Sequence, residues 1–325
     1  MIVRKKDKVM IDNIKIKIPI EEPPPLDNEY QREDFKWLGE MFRPKFNKYG
    51  LHYAYENKLG RDSNLNGLKL TYDIASRDLI IVNSLHKFWK RNNHSDFTFS
   101  DIQLAIQKLE SELDLNLQTG QIVAKEYAIN IQADNDIYIN WSSYKHKSFT
   151  PMKTSTGKIY GAENVWTNFK IKGYNKTFQV KAKDRKTLPT SIFRFEIEAK
   201  KNCYFNSFGV DAIRTVKDLS DPIKIERLGI DLLDKYDSIE KGDRLDFSNL
   251  TGEELKRYAT MQNPLIKAAY KAYYQTDKDE RKVDGITYKR CRATSNKVKK
   301  KIIVPNYANE IRSKIEQKIG ELLAN

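Results

Sequence analysis

The chain has 325 residues, of which 39% are hydrophobic and 31% are charged. This composition excludes a disordered or fibrous protein, and the length predicts about two domains with ordinary hydrophobic cores. Lysine and arginine outnumber aspartate and glutamate by 58 to 44, a formal net charge of +14. Such an excess favours a polyanionic partner, although charge alone does not separate DNA from RNA or from an acidic membrane surface.

Cysteine content and hydropathy favour a reducing compartment and argue against a membrane protein. The two cysteines, Cys203 and Cys291, lie far apart, so they indicate neither a disulfide framework nor a paired-cysteine zinc site. No apolar run approaches the roughly 20 residues that span a bilayer, and the N-terminus lacks the apolar core of a secretory signal. We therefore expect a cytoplasmic protein without a membrane partner.

The first two thirds of the chain carry mainly strand patterns. Alternating residues and short β-prone runs predict strands over 9–20, 68–72, 79–83, 122–131, 158–160, 169–183 with a bend, and 192–199. One helix interrupts them, because an apolar face with helical spacing follows Ser100, and Gln103 stands at the matching capping position.

From about residue 205 the apolar spacing becomes helical. Thr251 and Asn263 occupy positions that are typical of helix N-caps. We therefore predict an α+β fold. In it, an antiparallel-sheet domain over residues 1–215 precedes a mainly helical DNA-binding or regulatory region over residues 216–325.

The predicted strand 122–131 carries polar side chains on one face. Period-2 geometry places Glu126, Asn130 and Gln132 there, opposite the apolar core face. Their oxygens are the ligand type that Mg²⁺ or Mn²⁺ prefers. A solvated strand face has the same pattern, so the spacing alone leaves both interpretations open.

A second polar face lies on the predicted strand 192–199. There, Arg194, Glu196 and Glu198 alternate with apolar residues. An arginine beside two carboxylates is typical of a cross-strand salt-bridge ladder. The same set also suits phosphate binding by the arginine and metal binding by the acids. The pattern by itself does not decide between them.

A tyrosine lies among lysines on the strand that begins at Phe169. Lys170, Lys172, Tyr174 and Lys176 share one face if the strand stays regular, and nearby ammonium groups favour ionisation of a phenol. Such lysines also grip phosphates beside a scissile bond, which is what a tyrosine nucleophile requires. A lysine-rich solvent face with a packed tyrosine is the alternative.

A strongly basic segment lies near the C-terminal end. Residues 281–301 contain nine lysines or arginines and one acid, Asp284. This charge suits binding to a phosphate backbone, with Arg290 and Arg292 as candidate contacts. It suits a solvated connector equally well.

Several common catalytic signatures are missing from the sequence. No two of the four histidines have a short metal-binding spacing. The sequence also lacks a P-loop for nucleotide phosphates and a serine nucleophile elbow. A P-loop ATPase and a serine hydrolase are therefore not expected.

Segments along the chain resemble, in order, replication initiators of phages and plasmids. Residues 10–19 resemble the opening of the initiators related to the filamentous-phage gene II protein. Residues 84–97 resemble their first conserved block, and residues 126–131 resemble the next. Lys172-Gly-Tyr-Asn-Lys176, followed by Phe193-Arg-Phe-Glu-Ile197, resembles their tyrosine-bearing strand and the strand after it.

The resemblance implies a nickase-like first domain that makes a site-specific, metal-dependent cut in one DNA strand. The family's tyrosine attacks a phosphodiester, leaves a free 3′-hydroxyl and keeps the 5′-phosphate as a phosphotyrosine. Carried over, Tyr174 is the nucleophile and Lys176 acts beside it on the phosphate. Gly173 would let the DNA backbone approach closely. The implied metal is Mg²⁺ or Mn²⁺, near Glu126, Asn130 and Glu196. Together with the charge patterns, the candidate DNA contacts are Lys87, Lys170, Lys172, Arg194, Arg290 and Arg292.

The implied partners are single-stranded and duplex origin DNA, with a host helicase and polymerase as further candidates. The sequence departs from the wider superfamily in having no His-hydrophobic-His pair, and Thr177 stands where two-tyrosine relatives have a second tyrosine. Two alternative expectations are a catalytically silent origin-binding protein and a nucleic-acid-binding copy-number regulator.

Overall fold

The computed structural model describes residues 10–22, 34–46, 52–57, 65–133, 137–242, 250–265, 288–303 and 307–324, with the single positions 24, 48, 247, 248 and 268. The described chain has an α+β fold, as the sequence predicts. A large antiparallel sheet forms most of it, and the helices lie mostly in the C-terminal half. No described helix is long and apolar enough to cross a membrane.

The strands form one large and one small sheet. In chain order they are β1 (Met10–Pro19), β2 (Phe35–Trp37), β3 (Glu40–Phe46), β4 (His52–Asn57), β5 (Lys69–Asp73), β6 (Asp78–Ser84), β7 (Gln121–Gln132), β8 (Trp141–Tyr144), β9 (Lys147–Ser148), β10 (Thr150–Lys153), β11 (Ile159–Val165), β12 (Phe169–Asn175), β13 (Ile192–Ala199) and β14 (Ile239–Lys241). Among the described residues, eleven strands form the large sheet in the order β10-β11-β12-β13-β7-β1-β6-β5-β4-β3-β2. The small sheet has the order β14-β8-β9.

The helices are α1 (Leu85–Lys90), α2 (Phe99–Leu113), α3 (Lys176–Asp184), α4 (Pro222–Asp237), α5 (Gly252–Gln262), α6 (Tyr288–Ile302) and α7 (Tyr307–Ala324). Three short 3₁₀ segments, Ile137–Asn140, Asn202–Asp211 and Lys217–Ser220, accompany them. The helix predicted after Ser100 exists as α2. Its capping box is formed by Thr98 and Asp101, so the N-cap lies two residues before the predicted position.

Strand β1 lies inside the large sheet because it can pair on both edges. Ile14, Ile16 and Ile18 alternate with more exposed residues and are almost fully buried, so period-2 patterning has identified this strand correctly. It pairs with β6 on one side and β7 on the other. The pairing with β7 shifts register between Ile11 and Ile14, which marks a β-bulge.

The strand predicted over 169–183 is wrong in its second half. β12 ends at Asn175, and α3 begins at the next residue. The side chain of Asn175 accepts a hydrogen bond from the Phe178 amide at 2.7 Å, which caps the helix and ends the strand. Strands β2 to β4 occupy a polar, aromatic stretch for which the sequence patterns predict no element.

The described chain divides into two compact units, residues 1–240 with 311–325, and residues 241–310. This division differs from the predicted boundary at residue 215, because α4 and α7 belong to the first unit. On α4, Leu228 and Leu232 are buried and Asp231 accepts a hydrogen bond from Tyr127 of β7. The change from strand to helix along the sequence is therefore not a domain boundary.

In the second unit, α5 and α6 pack against each other. Their shared core contains Tyr258, Val298 and Ile302. Lys301 of α6 forms an ion pair with Glu254 of α5 at 2.7 Å.

Gly173 makes room for a tryptophan. A Cβ at this position would lie 2.2 Å from Cη2 of Trp141, a distance that real Cβ atoms do not show. Trp141 also packs edge-on against Phe193 and Phe195. The absence of a side chain at Gly173 thus makes room for Trp141 in the aromatic core. This corrects the interpretation from the sequence, in which Gly173 allowed close approach of DNA.

We therefore expect Gly173→Ala to destabilise the protein by about 1–3 kcal/mol, the usual cost of overpacking a core. Urea unfolding measures the change. Gly252→Ala is the matched control, because a Cβ there would meet nothing within 4 Å. Equal stabilities of the Gly173→Ala variant and the unmodified protein would show that Trp141 can move aside at little cost.

Candidate active site

Three carboxylates from three neighbouring strands meet on one face of the large sheet. Asp12 of β1, Glu126 of β7 and Glu196 of β13 each offer an oxygen, and these oxygens lie within 4.8 Å of one another. Asp12 lies in the bulge of β1, and a bulge re-aims a side chain that regular alternation would place elsewhere. Asp12 was not among the site residues predicted from the sequence. The signal that could have identified it is an acid that interrupts the apolar run between Ile11 and Ile14.

Arg194 joins two of these acids from inside the protein. Its Nη2 atom lies 2.7 Å from Asp12 Oδ2, and its Nε atom lies 2.8 Å from Glu196 Oε2. It also donates to the backbone oxygen of Asn93 at 3.2 Å. The side chain is 0% exposed, so its guanidinium has no surface to offer a phosphate. The predicted DNA contact at Arg194 is therefore wrong, because its donors are engaged by buried acceptors.

Lys172 lies at the centre of the acids. Its ammonium is 2.8 Å from Glu196 Oε1, 2.8 Å from Glu198 Oε2 and 3.1 Å from Glu126 Oε1. Burial alone would lower its pKa, but Glu196 and Glu126 outweigh burial and raise it above the ordinary value. The side chain therefore stays charged and acts as a resident cation among the carboxylates.

Two of the three acids beside Lys172, Glu196 and Glu126, have pKa values that shift in opposite directions. Burial would raise the pKa of Glu196, but Lys172 and Arg194 lower it to about 2. Burial together with repulsion from Glu196 raises the pKa of Glu126, and Lys172 only partly offsets this. Glu196 is thus an ionised carboxylate. Glu126 is the acid whose ionised form a further cation would stabilise most.

The ion pairs continue outward into a larger acid–base cluster. Lys170 lies 3.4 Å from Glu163 and 3.5 Å from Glu198. The cluster, formed by Asp12, Glu126, Glu163, Glu196, Glu198, Lys170, Lys172 and Arg194, has five carboxylates and three basic groups. It therefore carries two net negative charges when all are ionised. An all-oxygen donor set with this charge fits Mg²⁺ or Mn²⁺.

Asn130 lies beside the cluster without joining it. Its Nδ2 donates to the backbone oxygen of His94 at 3.2 Å, and its Oδ1 accepts from Arg194 at 3.4 Å. Asp12, and not Asn130, completes the group of three acids. The metal-ligand role predicted for Asn130 does not fit these contacts.

Tyr174 contacts the cluster through its hydroxyl. The Oη atom donates to Glu196 Oε2 at 3.1 Å, and the residue is only 4% exposed. Burial and the negative charge of Glu196 raise the pKa of Tyr174 well above its ordinary value, despite Arg194 and Lys172. The neighbouring lysines alone therefore do not favour the phenolate, because burial and Glu196 outweigh them.

Lys176 lies at the start of α3 and not on the strand. It is 1% exposed, its ammonium donates to Gln179 Oε1 at 2.8 Å, and it lies 5.9 Å from the centre of the Tyr174 ring. Burial, together with repulsion from Arg194, lowers its pKa to about 7. Because it does not line the cleft above Tyr174, the predicted direct phosphate contact is not supported.

A cleft of about 760 Å³ opens above the acids. Asp12, Glu126, Glu196 and Tyr174 form part of its lining. Its basic lining residues are Lys87, Lys170, Lys172 and Lys183. The cleft thus combines negative charge around the three acids with lysines that can attract a polyanion.

The remaining predicted contacts lie in the second unit. Arg292 is exposed on α6, while the side chain of Arg290 lies outside the described residues.

Comparison of the chain with protein-family models found no match. Comparison with curated proteins found no match either. We therefore base the function on the geometry and charge of the site.

The ion pairs of Arg194 should be a main support of the first unit. Arg194→Met removes the guanidinium from buried Asp12 and leaves Lys172 as the ion-pair partner of buried Glu196, so we expect a loss of about 3–5 kcal/mol in unfolding free energy. Lys170→Met, at the half-exposed end of the cluster, should cost less than about 1 kcal/mol. Urea unfolding without added metal measures both. A loss below about 1 kcal/mol for Arg194→Met would contradict this assignment.

Lys176 should destabilise the fold at neutral pH. Its pKa is about 7 in the folded protein and near 10.5 when unfolded, so unfolding takes up a proton between these values. The destabilisation is complete below about pH 7 and disappears as pH rises towards about 10.5. Lys176→Met should therefore be more stable than the unmodified protein at about pH 7, and this advantage should shrink by about pH 10. Unfolding midpoints that differ equally at both pH values would contradict the buried position.

Proposed function

We propose that the protein is a replication initiator that cuts one DNA strand at an origin, with Tyr174 as the nucleophile and a divalent cation as cofactor. One observation carries the proposal: the Tyr174 hydroxyl is hydrogen-bonded to Glu196, one of three clustered acids, in a cleft with lysines along it. A tyrosine, acids for a cation and cations for phosphates are the groups that this transfer needs. The resemblance of the sequence to replication initiators points to the same chemistry.

The reaction exchanges one phosphoester bond for another. The Tyr174 oxygen attacks the phosphorus, the bond from phosphorus to the 3′-oxygen breaks, and the phenol proton leaves to solvent. The departing 3′-oxygen takes up a proton and becomes the free 3′-hydroxyl. The 5′-phosphate remains on the enzyme as a phosphotyrosine, so the energy of the phosphodiester is retained in the adduct.

Asp12, Glu126 and Glu196 are the residues that would hold the cation. Bound there, Mg²⁺ or Mn²⁺ would polarise the scissile phosphate and favour ionisation of the phenol. Glu196 orients the Tyr174 hydroxyl, since the hydrogen bond of 3.1 Å fixes the direction of the oxygen. Arg194 holds Glu196 in turn, through its contact of 2.8 Å with Glu196 Oε2.

Lysines along the cleft would receive the DNA backbone. Lys87 and Lys183 line it without belonging to the acid–base cluster, so their charges are available to phosphates. Lys170 is 3.4 Å or more from its acid partners and is exposed enough to exchange them for a phosphate. Binding of a single strand should therefore weaken steeply with added salt.

The second unit is our candidate for binding duplex origin DNA. Arg292, Lys297, Lys299 and Lys300 are exposed on α6. A helix face with this charge suits the phosphates of a duplex. A host helicase and polymerase would then act on the nicked strand, since the cut supplies a free 3′-hydroxyl.

The decisive prediction concerns Tyr174. The protein is incubated with Mn²⁺ and a random-sequence pool of single strands labelled at the 3′ end, because the adduct keeps the 3′ fragment. We expect a labelled covalent adduct that Tyr174→Phe abolishes, since the variant lacks the attacking oxygen. Tyr53→Phe, on the exposed surface of β4, is the control and should keep the adduct.

Peptide mapping identifies the modified residue. An adduct on another tyrosine would keep the enzyme class and refute the site. Absence of an adduct with both Mg²⁺ and Mn²⁺, in a protein that still binds DNA, would favour a silent origin-binding protein, in which the acid–base cluster is only structural.

The metal prediction can be tested without DNA. Calorimetric titration with Mn²⁺ should show one site, and Glu196→Gln should weaken binding at least about tenfold, because it removes a charged ligand. Glu56→Gln is the matched control, because Glu56 is also a buried acid paired with lysines, on β4. Equal Mn²⁺ affinities for both variants would assign the three acids to a salt-bridge ladder.

A further inference from the structure

An aromatic side chain that the proposed chemistry does not use lies beside Tyr174. The ring of Tyr160, on β11, lies 6.4 Å from the Tyr174 ring and at 80° to it. Its other neighbour is Phe178 of α3, whose ring is 5.8 Å away and nearly parallel, at 27°. Tyr160 lines the cleft, whereas Phe178 is not among the residues that line it. Phe178 thus supports the ring from behind.

The backbone around Tyr160 is irregular. The pairing of β10 with β11 shifts register between Met152 and Lys153, so Lys153 faces Ile159 and Met152 faces Gly161. Tyr160 lies between the two paired positions of β11, in a bulge. Bulges re-aim side chains at the edges of sheets and next to active sites. The bulge accounts for a ring that reaches the cleft.

The surroundings of the ring match what a nucleobase needs. Met152 also lines the cleft, and its polarisable sulfur lies next to Gly161, the residue that follows Tyr160. Lys183, Lys87 and Lys170 line the same cleft, so cations for phosphates share it with the ring. An aromatic ring in a lysine-lined cleft is the arrangement that binds single-stranded nucleic acid by stacking bases and holding phosphates.

We propose that Tyr160 is a positioning residue that stacks the nucleobase next to the scissile phosphate and so places that phosphate over Tyr174. This rests on the proposed function and adds to it how the substrate is held. Phe178 keeps the ring in place, and Met152 covers the edge of the stacked base. Every base has a π face, so this contact discriminates a base from no base and does not read sequence.

Oligonucleotide binding without metal tests the proposal, because no cleavage then occurs. The probes are an oligothymidylate of about 20 nucleotides and an abasic strand of the same length and charge. We expect the unmodified protein to prefer oligothymidylate, and Tyr160→Ala to weaken its binding about 5- to 150-fold while binding of the abasic strand stays unchanged. Fluorescence anisotropy gives both affinities.

Three variants guard against a merely structural effect. Tyr160→Phe keeps the π face and should retain the preference for the strand with bases. Tyr160→Leu fills the space without a π face and should lose the preference. Tyr53→Ala removes an exposed tyrosine from β4, far along the sheet order, and should change neither affinity. A Tyr160→Leu variant that still prefers bases as strongly as the unmodified protein would overturn the proposal.

This result is separable from that of the proposed nickase. If Tyr174 forms the adduct but Tyr160→Leu keeps the base preference, the stacking residue is refuted and the nickase stands. If no adduct forms but the preference depends on Tyr160, the cleft binds single strands without cutting them. Equal affinity of the unmodified protein for both strands would refute stacking at Tyr160 outright.

Discussion

The buried guanidinium of Arg194 is the interaction on which the site depends. It links Asp12 of β1 to Glu196 of β13 across the intervening strand β7, and it has no contact with solvent. Without it these two buried carboxylates would lose the positive partner that they share, and an uncompensated buried charge is very unfavourable. Arg194 therefore sets where the acids stand, and through Glu196 it sets the direction of the Tyr174 hydroxyl.

The balance of charge around this arginine explains the chemical state of the site. Lys172 compensates part of the remaining negative charge, and together with Arg194 it lowers the pKa of Glu196. Burial and repulsion from Glu196 nevertheless raise the pKa of Glu126. Burial and the negative charge of Glu196 raise the pKa of Tyr174 well above its ordinary value. A divalent cation would supply the charge that is still missing, which links occupation of the acids to activation of the phenol in our proposal.

Different residues of the cleft are suited to binding a DNA backbone and to binding a metal ion. Lysines that line it, such as Lys87 and Lys183, are suited to attract a phosphate backbone, whereas the charge at the three acids suits a metal ion. The bulge of β1 brings Asp12 among the acids, and the bulge of β11 places Tyr160 next to Tyr174. These two irregularities of the sheet therefore lie where the proposed site needs a side chain.

Local patterns in the sequence were sufficient for the α+β class, for β1, β7 and β13, and for placing Glu196 and Arg194 on one strand face, because side-chain alternation is a property of a single strand. Tertiary structure decided the rest. Asp12 reaches Arg194 over 182 positions of sequence, through a bulge that alternation cannot show. The order of the strands decided that Arg194 contacts buried acids and not phosphate. The position of Trp141 decided that residue 173 has no room for a side chain. Such partners are far apart in the chain, so only the folded sheet determines which side chains are in contact.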